Sequence, residues 1–351
     1  LLRRALAICL LLGGLASIAD AAGWYNSNWQ YLKKLTIDYT KVGATLSHFP
    51  VLVSLTSDSD LAARARSDGY DILFTAADGT TKLDHEIERY TSGTGELVAW
   101  VRIPSLSNTA DTEIYLYYGY ASASNQQNAS GVWSEGGSNS YKGVWHLNET
   151  PADGVAGHVD STGNGRTGTP YGFSDGGSGT TNSTGIAAGA DYFSTGDNNR
   201  VEVAHHSSLT PNGDMTVELW VRLDNPASAD HGIYKQQGPW FSYQLYFAGS
   251  VPYCIWSNDA QTQTMTWGTT TFQANTWYHI ACVKSGTNLQ MFVNGTNERT
   301  VGGASGTIYP STDPFHIGAT YSGGGGLGGR ADEVRFSGVA RTASWLSTQY
   351  N

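Results

Sequence analysis

The sequence has few basic residues and few charged residues of either sign. Its 351 residues include 20 lysines and arginines against 30 aspartates and glutamates, which gives a formal net charge of −10. Charged residues make up only 14% of the chain. A protein that binds nucleic acid through its phosphates needs a basic stripe, and this sequence contains none. We therefore expect no nucleic-acid partner.

The N-terminal region also lacks an apolar run that is long enough to span a membrane. The apolar stretch Leu6–Leu15 is too short for a stable span. Arg3-Arg4 precede it, and an A-x-A site follows at Ala19-Asp20-Ala21. This arrangement is typical of a secretory leader. We predict that residues 1–21 are a signal peptide and that the mature protein is exported to the periplasm, the cell surface or the medium. It would then be no integral membrane protein.

Cysteine is scarce, with three residues in the chain, of which Cys9 lies in the predicted leader. Cys254 and Cys282 remain. In an exported protein an even pair permits a disulfide, whereas two buried thiols that pack as small apolar groups are the alternative. Because the sequence does not fix the distance between their Cα atoms, both interpretations stay open.

The composition is poor in helix-forming residues and rich in glycine and tyrosine, with 43 Gly and 20 Tyr against 3 Met, which favours strands and turns. The segment TWYHIACVKSGTNLQMFVNG is the clearest case. It predicts strands at Trp277–Val283 and Leu289–Val293, a turn at residues 285–288, and a second tight turn at Asn294-Gly295. A hairpin cannot bury its apolar face alone, so a β-sandwich is expected.

Short predicted strands separated by turn signals fill the first part of the chain. They are Leu35–Tyr39, Phe49–Leu55, Asp71–Thr75, Lys82–Tyr90, Leu97–Ile103 and Glu113–Tyr118. One short helix is predicted at Asp58–Arg66. This succession indicates an all-β sandwich rather than βαβ units.

Four motifs in this part of the chain, WYNSNWQYLKKLTID, DILFTAADGTTKLDHEIE, AWVRIPSL and IYLYYG, follow one another in a specific order. Together they resemble the domain of unknown function DUF2341 over residues 24–133. The resemblance implies an exported protein, often one with lectin-like modules beside this domain. It supplies no catalytic residues.

Residues 125–140 are polar and rich in Gly and Ser, and residues 134–140 at their end are predicted to be the linker. The strands predicted beyond it, besides the hairpin, are Arg200–Ala204, Met215–Leu223, Tyr243–Phe247, Tyr253–Trp256, Phe315–Ala319 and Asp332–Phe336. The glycine-rich segment Gly323–Gly329 is predicted to be very flexible.

The motifs VWHLNE, DSTGNG, MTVELWV, WYHIACV, MFVNG, FHIG and ADEVRFSGVART run through residues 141–351. They resemble the laminin-G-like jelly roll of the concanavalin A-like lectin/glucanase superfamily. The fold expected is therefore all-β, with two β-sandwich domains, the second a concanavalin A-like jelly roll. A fold does not by itself fix a function.

Glucanases of this superfamily carry an E-x-D-x-x-E pattern, and the sequence has no match to it. Hydrolysis needs two closely spaced carboxylates. Glu218 falls on a predicted core strand, and Asp332 and Glu333 are adjacent, so they should point to opposite faces. The nine histidines show no zinc-binding spacing either. We expect no hydrolase activity, no catalytic residues and no zinc site.

The resemblance also implies one structural Ca²⁺ at the edge of the second sandwich. Asp332 of ADEVR matches the aspartate that relatives carry on the final strand, while Asp160, Gly163 and Asn164 lie in the DSTGNG loop. Such a loop presents the oxygen ligands that calcium prefers. The alternative is that Asp160 only fixes an Asx-turn and Asp332 pairs with a neighbouring arginine.

Three tryptophans, Trp240, Trp256 and Trp267, lie in or near predicted loops and are candidates for stacking on a ligand such as a sugar ring. Packing in the core or at its rim is the alternative. The function expected is non-catalytic recognition of a glycan or a surface protein. The alternatives are a structural envelope or adhesion protein without a saccharide site and, third, a glycoside hydrolase.

Overall fold

The computed structural model describes residues 23–134, 140–150, 152–173, 180–195, 197–228, 231–319 and 326–351. The predicted leader lies outside the described residues, as do residues 135–139 of the linker and residues 323–325 of the glycine-rich segment. Two compact units are formed, one by residues up to 139 with 347–349 and 351, the other by residues 140–346 with 350. Their boundary falls within the predicted linker, and each unit is described separately.

The described part of the first unit consists of strands and two short helices. The strands are β1 (Tyr31–Ile37), β2 (Leu46–Leu55), β3 (Leu73–Ala76), β4 (Lys82–Leu83), β5 (His85–Thr91), β6 (Glu96–Leu106) and β7 (Thr112–Tyr118). The helices are α1 (Ser59–Arg64) and α2 (Ala129–Val132). One sheet has the strand order β1-β7-β3-β4 and the other the order β2-β6-β5, which is a sandwich.

The core of the first unit follows the alternation of apolar residues. Leu35 and Ile37 of β1 are buried, and Phe49, Val51 and Val53 of β2 are buried in the second sheet. The predicted first strand ends two residues early, at Ile37. There the side chain of Asp38 accepts a hydrogen bond from the Thr40 backbone N–H, which turns the chain into a short 3-10 helix instead.

The second unit is a larger sandwich. Its strands are β8 (Tyr141–Trp145), β9 (Gly168–Tyr171), β10 (Thr180–Thr184), β11 (Gly189–Phe193), β12 (Arg200–Val203), β13 (Met215–Leu223), β14 (His231–Gln237), β15 (Trp240–Ala248), β16 (Val251–Ser257), β17 (Gln263–Trp267), β18 (Trp277–Ser285), β19 (Asn288–Val293), β20 (Thr296–Gly302), β21 (Phe315–Ile317) and β22 (Gly329–Ser337). The C-terminal helix α3 spans Ala343–Tyr350.

Two sheets face each other in this unit. The eight-stranded sheet has the order β10-β11-β22-β13-β18-β19-β20, with β8 also paired to β22, and the seven-stranded sheet has the order β17-β16-β15-β14-β21-β12-β9. Strand β13 shows why the sequence folds this way. Met215, Val217, Leu219 and Val221 are fully buried and alternate with residues of the other face. The predicted bounds of this strand are those observed.

The predicted hairpin is formed by β18 and β19. Its turn is shorter than expected, because pairing continues to Ser285 and Asn288 and leaves only Gly286 and Thr287 between the strands. The second turn has positive φ angles at Asn294 (49°) and Gly295 (74°). These are the left-handed angles that an Asn-Gly turn between strands requires.

A disulfide links the two sheets of the second unit. Cys254 lies on β16 of the seven-stranded sheet and Cys282 on β18 of the eight-stranded sheet, and both are fully buried. Their Cα atoms are 6.0 Å apart, which is within the usual range for a disulfide. Facing sheets, rather than adjacent strands of one sheet, thus bring the two cysteines together.

A strand bulge divides β22 into two halves. Residues 329–331 pair with β11, while residues 334–337 pair with β8 on the same side of the strand. Glu333 lies between the halves with a φ of 52°. The two adjacent carboxylates predicted to diverge, Asp332 and Glu333, therefore lie at the point where β22 changes partner. No helix in the described residues is long and apolar enough to cross a membrane.

Candidate ligand-binding face

One row of paired residues crosses every strand of the seven-stranded sheet. In spatial order it contains Thr169, Glu202, His316, Tyr234, Gln244, Ile255 and Met265. Their chain neighbours Val201, Ile233 and Leu245 belong to the hydrophobic core. Because successive side chains of a strand point to opposite faces, these seven residues lie on the face turned away from the core. We call them the outer row.

His316 at the middle of the outer row has an unsatisfied ring nitrogen. Its side chain is 2% exposed, and its Nε2 lies 3.5 Å from Glu202 Oε1. The buried Nδ1 and Nε2 both lack a partner with good hydrogen-bond geometry in the described part of the chain. A buried polar atom without a partner costs about 1–3 kcal/mol. His316 therefore offers an incoming ligand a hydrogen-bonding position.

The state of Glu202 decides what His316 can bind. The hydrogen bond from His316 is the main cause that lowers the pKa of Glu202, and Arg200, whose Nε lies 2.7 Å from Oε1, lowers it further against the effect of burial. Glu202 is thus a carboxylate, and it lies beside the Nε2 edge of the ring. In the tautomer whose proton is on Nε2, facing this carboxylate, Nδ1 is an acceptor. Its complement is a donor such as a ligand hydroxyl.

Aromatic rings surround this polar pair. The Tyr234 ring lies 5.8 Å from the His316 ring and makes edge-on contacts at 5.5 Å with both His231 and Phe241. Burial, with a contribution from Asp313, raises the pKa of Tyr234 to about 12. Its hydroxyl therefore stays protonated at ordinary pH. Rings beside hydrogen-bonding groups suit a ligand with both apolar and polar faces.

A second aromatic group on this sheet is a row of stacked, half-buried rings. The rings of Tyr246 and Tyr253 stack at 5.1 Å, and those of Tyr253 and Trp267 stack at 6.3 Å. The Arg299 guanidinium lies 3.9 Å from the centre of the Trp267 ring. Tyr253 comes from the neighbouring strand β16, whereas Arg299 comes from β20 of the other sheet. Trp267 is half-buried between these neighbours and remains a candidate for contact with a ligand.

The other two candidate tryptophans differ from each other. Trp256 is 1% exposed and belongs to the hydrophobic core, with the Lys284 Nζ 5.2 Å from its ring centre. A ring buried to this extent has no face open to a ligand, which corrects that prediction. Trp240 is half-buried at the start of β15, opposite Gln237. It remains a candidate for contact with a ligand.

The predicted calcium ligands of the first loop hold that loop together. Oδ1 of the buried Asp160 accepts from the backbone N–H groups of Val144 and Thr162, and Oδ2 accepts from the backbone N–H of Arg166. The Gly163 N–H donates to the Asp160 carbonyl, and the Asn164 side chain donates to Thr162. This is the Asx-turn arrangement of the alternative interpretation.

Asp332 lies against a different element. Its Oδ2 accepts from the backbone N–H groups of Ile186 and Ala187, in the turn between β10 and β11. Of the two arginines expected near it, Arg335 pairs with Glu333, and Arg330 lies 3.8 Å from Asp224. Within the described ranges, neither Asp160 nor Asp332 belongs to a cluster of three acidic, histidine or cysteine ligand atoms. The calcium site stays a prediction.

A buried histidine between two carboxylates fastens the first loop of the second unit. His158 Nδ1 lies 3.1 Å from Glu149 Oε2, and His158 Nε2 lies 3.1 Å from Asp191 Oδ2. Burial alone would lower the pKa of His158, but the hydrogen bonds to Asp191 and Glu149 outweigh it and raise the pKa to about 9. The group is a charged structural clasp. No motif in the sequence identified it.

Two family models match the chain. The model described as the concanavalin A-like lectin/glucanases superfamily matches residues 194–347, and the domain of unknown function DUF2341 matches residues 68–145. No curated protein matches the chain.

Several solved structures are similar to the chain at low identity. The binding domain of Paraclostridial Mosquitocidal Protein 1 is 11% identical, with a TM-score of 0.48 over 61% of this chain and 52% of that one. The receptor binding domain of botulinum neurotoxin C/D mosaic serotype is 9% identical, with a TM-score of 0.45 over 60% of this chain and 50% of that one. The chain thus spans about half the length of these two.

A third solved structure is covered almost completely. Domain 4 of AbnA, an extracellular arabinanase from Geobacillus stearothermophilus, in complex with arabinotriose, is 16% identical, with a TM-score of 0.46 over 60% of this chain and 98% of that one. The DUF2341 match falls mainly on the first described sandwich, and the concanavalin A-like match falls on the second. Residues 68–145 thus match the DUF2341 model, and residues 194–347 match the model of the concanavalin A-like lectin/glucanases superfamily, in the predicted order.

Proposed function

We propose that the protein is an exported, non-catalytic recognition protein that binds a glycan on the outer row of the seven-stranded sheet. The observation that carries the proposal is the unsatisfied Nδ1 of His316, which lies beside the carboxylate of Glu202 and the ring of Tyr234. A sugar presents hydroxyl donors at its edge and C–H groups on its faces. It therefore matches both the acceptor and the rings.

The charges of the outer row support binding rather than hydrolysis. Glu202 is its one carboxylate, and its lowered pKa makes it a poor proton donor. Glycosidases use a second carboxyl at about 5–9 Å from the first, one of the two protonated. The chemistry of this face is that of a hydrogen-bonding site.

The buried disulfide between Cys254 and Cys282 supports export. Such bonds persist in oxidising compartments and are rare in the cytosol. The basic and apolar start of the chain, followed by an A-x-A site, points to the same compartment. The proposed location is therefore the periplasm, the cell surface or the surrounding medium.

A glycan array probed with the full chain tests the proposal, and His316→Ala tests the site. The substitution removes one hydrogen bond and one ring contact, so affinity for the glycan found by the wild type should fall about tenfold or more. Gln290→Ala, on β19 of the other sheet, is the matched control and should bind normally. Thermal unfolding of both variants checks that the fold is kept.

Two results would contradict the proposal. If the wild type binds no glycan on the array, the result favours the alternative function, that of a structural envelope or adhesion protein. Binding that His316→Ala leaves unchanged places the glycan elsewhere on the molecule.

A further inference from the structure

Lys33 is a lysine on the inner face of the first sandwich. It alternates along β1 with Leu35 and Ile37, which are buried in the core, and therefore shares their face. Its side chain is only 13% exposed, and its Nζ contacts Oδ2 of Asp58, whose side chain is 6% exposed. An amine and a carboxyl group thus meet where little water reaches them.

The carboxyl of Asp58 is held in one orientation. Its Oδ1 accepts from the backbone N–H groups of Asp60 and Leu61, each at 3.0 Å, while Oδ2 faces Lys33. A proton on this carboxyl therefore resides on Oδ2. The two N–H groups at Oδ1 are placed to stabilise negative charge that develops on that oxygen.

A second carboxylate, the buried phenol of Tyr118 and the half-buried phenol of Tyr90 complete the surroundings. Asp60 Oδ2 lies 4.0 Å from Lys33 Nζ, within reach of a small side-chain movement. Burial, followed by the charges of Asp71 and Asp58, raises the pKa of Tyr90 to about 12. Burial, followed by the charges of Asp60 and Asp58, also raises the pKa of Tyr118. Both phenols therefore stay neutral.

We propose that Lys33 and Asp58 condense into an intramolecular isopeptide bond. Poorly hydrated charges are costly, and one proton transfer from Nζ to Oδ2 converts the ion pair into a neutral amine and a neutral acid. The amine is then a nucleophile that already touches the carboxyl it attacks. Such fixed proximity replaces much of the entropy cost of joining two groups.

The reaction is balanced without any co-reactant. The Nζ lone pair forms a bond to Cγ of Asp58, and the negative charge collects on Oδ1 between the two N–H donors. Asp60 takes a proton from Nζ and passes it to Oδ2. The Cγ–Oδ2 bond breaks, and Oδ2 leaves as water with that proton and the one it already carried. An amide and one water molecule result.

Intact mass spectrometry of the full chain, purified from its expression host, tests the bond. N-terminal sequencing of the same sample identifies its first residue, and the measured mass is compared with the mass calculated from that residue onward. After allowance for the disulfide, the wild type should be lighter than its sequence by one water molecule. Digestion should yield one cross-linked species that contains both Lys33 and Asp58. A wild type at the full sequence mass overturns the proposal, because the pair is then an ion pair only.

Three variants locate the loss of water. Lys33→Arg keeps the cation but cannot form the amide, so it should show the full mass. Lys34→Arg is the control on the same strand, since Lys34 pairs with Glu113 where both are more exposed, and it should stay one water lighter. Loss of water that persists in Lys33→Arg overturns the assignment. Asp60→Asn should form the bond more slowly, and an unchanged rate overturns the role of Asp60.

Discussion

His158 carries a charge in a site that water does not reach. Its side chain and that of Asp191 are fully buried, and Glu149 holds the other ring nitrogen. The pKa of about 9 lies above the ordinary value of 6.5, because the two carboxylates overcome the cost of burial. A shift of this size corresponds to about 3 kcal/mol of stabilisation.

The sign of the pH dependence follows from the raised pKa of His158. Its stabilisation is complete below pH 6.5, the value of an unfolded histidine, and is lost as the pH rises through about 9. Thermal unfolding of the wild type and of His158→Gln should therefore differ most at low pH and converge in alkaline solution. His206→Gln, at an exposed histidine, should follow the wild type throughout. A difference that stays constant with pH contradicts the assignment.

Asp332 is the residue on which the predicted calcium site depends. If it shares one Ca²⁺ with the loop of Asp160, the ion stabilises the folded state by about 2.7 kcal/mol at a hundredfold excess over its Kd. We expect calcium to raise the melting temperature of the wild type but not that of Asp332→Asn. Asp224→Asn, at an exposed carboxylate that faces Arg330, serves as the control. An unchanged melting temperature with chelator, together with no heat of calcium binding in calorimetry, removes the site.

At the scale of the strands, alternation was a reliable guide where apolar residues are large and regularly spaced. Met215–Leu223 was predicted with its observed bounds, and the hairpin of β18 and β19 was predicted with a small error in its turn. Strands β8, β9, β10, β11, β14, β17 and β20 were not predicted. They are short, or rich in glycine and polar residues. Pairing with neighbours far along the chain therefore decides their conformation, rather than local propensity.

The proposed binding face was harder to predict than the fold. Glu202, Tyr234 and His316 lie on β12, β14 and β21, and only the register of three strands brings them into one row. Pairing registers are set by the packing of whole sheets, and one sequence does not contain them in readable form. The tryptophans attracted attention for their size, yet Trp256 is buried in the core.

The disulfide between β16 and β18 should stabilise the second unit considerably. Its cysteines are 28 residues apart, and closing a loop of this size in the unfolded chain stabilises the fold by ~3–4 kcal/mol. We expect reductant to lower the denaturant midpoint of the wild type to that of the Cys254→Ala, Cys282→Ala double variant, which reductant should not affect. Two free thiols in the denatured, unreduced wild type would exclude the bond.

At the scale of the whole molecule, the proposed export makes a prediction about the N-terminus. Residues 1–21 combine a basic start, an apolar stretch and an A-x-A site, which a signal peptidase removes during export. N-terminal sequencing of exported protein should therefore begin near Ala22. Recovery of the intact leader on exported material contradicts this prediction.

The disulfide between the two sheets also limits how far the chain can be extended by force. A pull on the two ends cannot lengthen the segment between Cys254 and Cys282 while their sulfurs are joined. At about 3.5 Å for each extended residue, that segment holds back about 95 Å of contour length. In single-molecule stretching, the unfolded oxidised chain should therefore have a contour length about 95 Å shorter than that of the reduced chain. A tether between a cell and its surroundings would be shorter by the same distance.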